Sequence, residues 1–218
     1  MATQRKQRVD AFRAGIQVGD REDADSTLFR VLFGIPAQIQ IELALEITRR
    51  FLPVFRKNHP EHTAAVAWAE SVLGDLGAYY DARGVEVSDP PEKDAGGDAS
   101  FWYALYALLD AVSYAKQGKL HRVTPACCTA LIWAVGARSA NIWYADDPDA
   151  VQAWNDGHGE PLLGRGEHEN LACLAVTKRE WLIVADWLEQ RQVGDYPEAD
   201  EDERERWLAW WQERECLL

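Results

Sequence analysis

The chain has 218 residues, of which 47% are apolar, 27% charged and 11% aromatic. That composition excludes intrinsic disorder, a collagen-like repeat and a disulfide-stapled miniprotein. With 23 basic and 36 acidic residues the net charge is −13, which favours solubility and repels nucleic acid and anionic membranes.

A single helical domain over residues 1–218 is the expectation for this length. The opening Met-Ala-Thr-Gln-Arg-Lys-Gln-Arg has no apolar core behind it, so no secretory signal is expected. Pro36 stands where a first-turn proline would, ahead of the stripe Ile39, Leu43, Ile47, Phe51 and Phe55. The four-residue spacing predicts one amphipathic helix. After Pro60 a second helix is predicted to run to Arg83, with Gly84 as its left-handed stop. It carries Val66, Ala69, Val72, Leu73, Leu76 and Tyr80 on one face. Residues 85–97 hold two prolines and two glycines and mark a loop, the best internal boundary. A third helix is predicted from Asp98 or Ser100, and a fourth from Thr124-Pro125 to about Tyr144.

Asp147-Pro148 opens a short helix carrying Val151 and Trp154, and residues 155–166 read as a glycine-rich loop. Leu171–Val176 is the one short piece that reads as strand. Thr177-Lys178-Arg179-Glu180 matches a capping box, in which Thr and Glu satisfy each other's backbone amides at a helix start. The last helix is expected over Glu198–Glu215. The fold class is therefore all-α, a bundle or stacked hairpins of eight or nine helices. The expected core includes Ile39, Leu43, Ile47, Phe51, Val72, Leu76, Leu105, Leu109, Leu131 and Trp133.

Phe101–Ala115 and Ala126–Ala145 are the longest nearly apolar runs. The first is too short to cross ~30 Å of hydrocarbon, and Asp110 and Arg138 interrupt them, so both read as buried helices. Buried charges are usually paired, which makes an Asp110–Arg138 pair the natural expectation. Cys127, Cys128, Cys173 and Cys216 lack metal or disulfide spacing and read as core residues of a protein from a reducing cytoplasm.

No catalytic fingerprint is present. Gly157-His158-Gly159 and Gly164-Arg165-Gly166 neither follow a strand nor open a helix, as phosphate loops do. His158, Glu160, Glu167, His168 and Glu169 crowd one loop, but their spacing matches no metal motif. No cofactor or metal is therefore expected, and no catalytic residue is assigned.

Charge is unevenly distributed. Residues 1–60 carry 10 basic and 7 acidic groups, and the remainder 13 and 29. Asp200, Glu201, Asp202, Glu203 and Glu205 form the densest acidic run, followed by Trp207, Trp210 and Trp211 on one helical face. Carboxylates that steer a basic partner, beside indoles that anchor it, make these eight the candidate partner-binding residues.

The segment Ile47-Thr48-Arg49-Arg50-Phe51-Leu52-Pro53-Val54-Phe55-Arg56-Lys57-Asn58-His59-Pro60, followed by the Ala-rich stretch Ala64–Trp68, resembles a family of all-helical immunity proteins of bacterial polymorphic toxin systems. The resemblance spans about residues 35–140. It implies a non-enzymatic cytoplasmic protein that occludes a cognate toxin, a basic protein domain, without nucleic acid or membrane as partner. The alternatives are a helical adaptor or scaffold and a metal-dependent hydrolase built on the His158–Glu169 loop.

Overall fold

The computed structural model describes residues 4–18, 21–58, 60, 63–75, 97–146 and 171–196. Among these the protein is helical and contains no strand. Seven helices of ten or more residues are present: α1 (Gln4–Val18), α2 (Arg21–Leu32), α3 (Ala37–Arg49), α4 (Thr63–Gly74), α5 (Asp98–Lys116), α6 (Val123–Asp146) and α7 (Leu171–Gln190). A two-turn segment, Leu52–Asn58, lies between α3 and α4, and single 3-10 turns occupy Leu120–Arg122 and Val193–Asp195. The expected helices over 147–154 and 198–215 lie outside the described residues, as do residues 85–96 and 155–166.

Three expectations from the sequence are corrected. The stripe from Ile39 to Phe55 is two pieces, because Pro53 has no N–H to continue the ladder. The chain tightens there, with Arg50 and Phe51 amides bonding Ile47 and Thr48 carbonyls at 3.2 and 3.1 Å. Second, α4 ends at Gly74, and residues 76–84, the remainder of the expected helix and its Gly84 stop, lie outside the described residues. Arg49 reaches across and donates to the Leu73 carbonyl through both Nε and Nη2, satisfying an acceptor that a helix end leaves open. Third, Leu171–Val176 is helix, so α7 runs straight through Thr177 and the capping box is not a helix start. Thr177 and Glu180 are both buried.

Packing follows from the apolar faces. Leu43, Ile47, Phe51, Val72, Leu105 and Leu131 are buried in one cluster, with Ile39, Leu109 and Trp133 half-buried against it. Leu76 lies outside the described residues. An aromatic column joins the Leu52–Asn58 segment to α4 and α5. Phe101 stacks between Phe51 and Phe55, with ring centroids 5.3 and 5.0 Å away. Trp102 lies 5.7 Å from Phe55 and 4.5 Å from Trp68. The Trp102 indole donates to the Tyr106 hydroxyl at 3.1 Å, so its one polar atom is satisfied.

Helices α5 and α6 form an antiparallel hairpin, and Gly97 sets its far end. Its φ is +89°, and a Cβ there would overlap the Ala137 carbonyl. Only glycine allows both that conformation and that approach. Helix α7 runs antiparallel to α1: Lys178 donates to the Gln17 carbonyl, Arg13 binds Asp186 and Glu189, and Gly194 abuts Lys6. It is also antiparallel to α3, through Arg191 with Glu42, Trp187 with Glu46, and Glu180 with Arg50. No helix among the described residues is long and apolar enough to cross a membrane.

Candidate functional site

The eight candidate partner-binding residues, Asp200, Glu201, Asp202, Glu203, Glu205, Trp207, Trp210 and Trp211, lie outside the described residues. So do His158, Glu160, Glu167, His168 and Glu169. Among the described residues no group of three or more His, Cys, Asp or Glu side chains is arranged to hold a metal ion. Cys127 and Cys128 are buried free thiols. Burial, reinforced by the neighbouring Cys128, pushes the Cys127 thiol well above its ordinary range, so it stays protonated and unreactive.

The predicted Asp110–Arg138 pair does not form. The antiparallel hairpin brings Gly97 against Ala137, which places Arg138 beside the start of α5. Asp110 lies some 12 residues further along that helix, about 18 Å away at 1.5 Å per residue, and it is exposed. Arg138 turns instead to Glu180 of α7.

Glu180 is a deeply buried carboxylate, with a side chain only 1% exposed. Three guanidiniums converge on it. Arg50, released where α3 breaks before Pro53, donates from Nε to Oε2 at 2.9 Å and from Nη2 to Oε1 at 3.3 Å. Arg138 of α6 and Arg179 of α7 each stand 3.5 Å from Oε1. Burial alone would raise the Glu180 carboxyl, yet the Arg50 hydrogen bonds, and then attraction from Arg50, Arg138 and Arg179, bring it below its ordinary value. The group is therefore a fixed anion at neutral pH. It ties three helices together and supplies no proton for chemistry near pH 7.

A cleft of about 360 Å³ opens at the turn between α2 and α3. Phe33, Ile35, Pro36, Ala37, Leu120, His121 and Thr124 line it. Tyr196 borders it. Gln40 is 3% exposed and lines the same cleft. Fully buried Arg5 fixes the turn from α1 by donating to the Phe33 carbonyl at 2.7 Å.

No protein-family model, curated protein or solved structure matches the chain. Charge is uneven along the sequence. Residues 1–60 carry 10 basic and 7 acidic groups, and residues 61–218 carry 13 and 29. The net charge of −13 thus comes from residues 61–218.

Proposed function

We propose that this chain is a non-enzymatic binding protein, an immunity protein that neutralises a cognate bacterial toxin by occluding it. The observation that carries this reading is the acidic excess of residues 61–218, densest at Asp200–Glu205. Residues 61–218 carry 29 carboxylates against 13 basic groups. Carboxylates so concentrated raise the encounter rate with a cationic protein surface by long-range attraction, and the folded helices supply bulk to block it. A toxin that acts on nucleic acid presents such a cationic surface, because it must bind phosphates. The resemblance over residues 35–140 to all-helical immunity proteins supports the same reading. Inhibition then requires no turnover, cofactor or metal.

The test is neutralisation. The polypeptide encoded directly upstream is expressed in a bacterial host, alone and together with this chain. Growth arrest by the first alone, relieved by co-expression and accompanied by a stoichiometric complex, is the expected result. An upstream product that causes no arrest, or an arrest that this chain leaves unchanged, overturns the proposal.

A further inference from the structure

We propose that Arg50, Arg138 and Arg179, gathered over the buried Glu180, form a binding site for the phosphate group of a small molecule. The first observation is charge. Three guanidiniums, which stay protonated at ordinary pH, surround one carboxylate and leave a surplus of two positive charges in the cluster. Among the described residues these three side chains make no ion pair or hydrogen bond except those to Glu180. The neighbouring carboxylates of the same helices are engaged elsewhere. Glu46, one turn before Arg50 on α3, accepts from the Trp187 indole at 2.7 Å, and Asp186 on α7 binds Arg13.

The second observation is the arrangement of that charge. The Glu180 side chain is 1% exposed, whereas Arg50, Arg138 and Arg179 are 37%, 24% and 61% exposed. An anion arriving from water therefore meets arginine side chains, with the carboxylate shielded beneath them. Arg50 and Arg179 are the two most open and are its direct contacts, and Arg138 adds charge behind them. One nitrogen of each arginine lies within 3.5 Å of Glu180 Oε1, so no two of those nitrogens are more than about 7 Å apart. One phosphate, accepting at about 2.8 Å on different oxygens, bridges such a span. Each guanidinium carries five N–H groups in a planar fork suited to phosphate, and a single carboxylate cannot occupy them all. A phosphate monoester carries a charge of about −1.5 to −2 at neutral pH, which matches the surplus. The ligand is small because a nucleic acid would face the repulsion of the whole chain, net charge −13. A single phosphate responds mainly to charges within a screening length of about 8 Å.

The probe is methyl phosphate, doubly charged at about pH 7.5 because its second pKa lies near ~6. Acetate, with one charge, is the comparison. Each is titrated into the ¹⁵N-labelled full chain at constant ionic strength while the arginine Nε–H signals are followed. Methyl phosphate is expected to shift the Arg50 and Arg179 signals saturably and to bind roughly tenfold more tightly than acetate. Arg179→Gln removes the most exposed guanidinium and leaves the two-pronged Arg50–Glu180 pair in place. It should weaken methyl phosphate binding by roughly tenfold. The comparison of probes on the unaltered protein needs no variant to fold. Absence of a saturable shift with methyl phosphate, equal affinity for acetate, or an affinity that Arg179→Gln leaves unchanged overturns the proposal.

Discussion

Arg50 and Glu180 meet across 130 residues of sequence in a two-pronged ion pair, with one prong at 2.9 Å and the other at 3.3 Å. The carboxylate is buried, whereas Arg50 is 37% exposed and Arg179 61%. Removing the charge from Glu180 leaves three guanidiniums facing one another around a neutral amide. Glu180→Gln should therefore destabilise the fold by about 3 kcal/mol, the low end for breaking a buried pair because its partners remain partly hydrated. Urea unfolding followed by circular dichroism measures it. Arg13→Ala removes an exposed bridge to Asp186 and Glu189 and should cost less than ~1 kcal/mol.

The same carboxylate predicts a pH dependence. Its folded value lies below the ordinary 4.5, so the unfolded chain takes up the proton first as acid is added. The stability that Glu180 contributes is complete above the ordinary value and is lost as pH falls through the folded one. Stability curves between pH 7 and 3 should drop less steeply for Glu180→Gln than for the unaltered protein. Parallel curves in the acid limb would show that the carboxyl is not held down in the folded state.

The starts of α3 and α6 were legible because they depend on local chemistry, whereas α1 and α2 were not anticipated and the start read at Thr177 was wrong. α3 begins at Ala37 directly after Pro36, which stands as its N-cap, and α6 opens around Thr124-Pro125, where proline preorganises the first turn. What failed was decided by residues distant in sequence. Thr177 and Glu180 have capping-box spacing, but the apolar run before them continues the helix and Arg50 claims the carboxylate. α4 ends at Gly74, where the Leu73 carbonyl is bonded by Arg49, 24 residues before it. Asp110 and Arg138 were matched by charge alone, without the hairpin register that separates them. Gln40, set between Ile39 and Ile41, resembles an ordinary polar helix position. Only the fold of the 33–37 turn over it shows that it is buried.

Gly97→Ala should be among the most damaging single-atom changes to the hairpin. Alanine at φ +89° carries a backbone penalty of ~1–2 kcal/mol. Its Cβ then forces α5 away from the Ala137 carbonyl, which adds a further cost of order 1–3 kcal/mol. A combined loss of roughly 3 kcal/mol is expected in thermal or chemical unfolding. Gly74→Ala is the control, because a Cβ there meets nothing within 4 Å, and it should be neutral or stabilising.

Leu105 is fully buried between α5 and its neighbours, whereas Leu109, one turn later, is only half-buried. Leu105→Ala should cost ~2–5 kcal/mol, because a packed helix pair cannot collapse into the space. Leu109→Ala should cost distinctly less, since part of its surface is already in water. Equal losses at the two positions would mean that the α5 face is rotated from the one described.

The last prediction concerns the carboxylates that precede Trp207. Asp200, Asp202 and Glu203 lie within the acidic segments that give the chain its net charge. If they steer a cationic toxin, replacing all three with serine should slow association by roughly tenfold at low salt. The difference should fade as added salt shortens the screening length toward 10 Å. Dissociation should change much less, because steering acts before contact and retention depends on buried apolar groups such as Trp207, Trp210 or Trp211. Stopped-flow mixing with the purified upstream product at several salt concentrations separates the two rates, and circular dichroism checks that the helical body is intact. An unchanged association rate with an unchanged salt slope would leave these carboxylates with solubility alone and put the interface on another part of the chain.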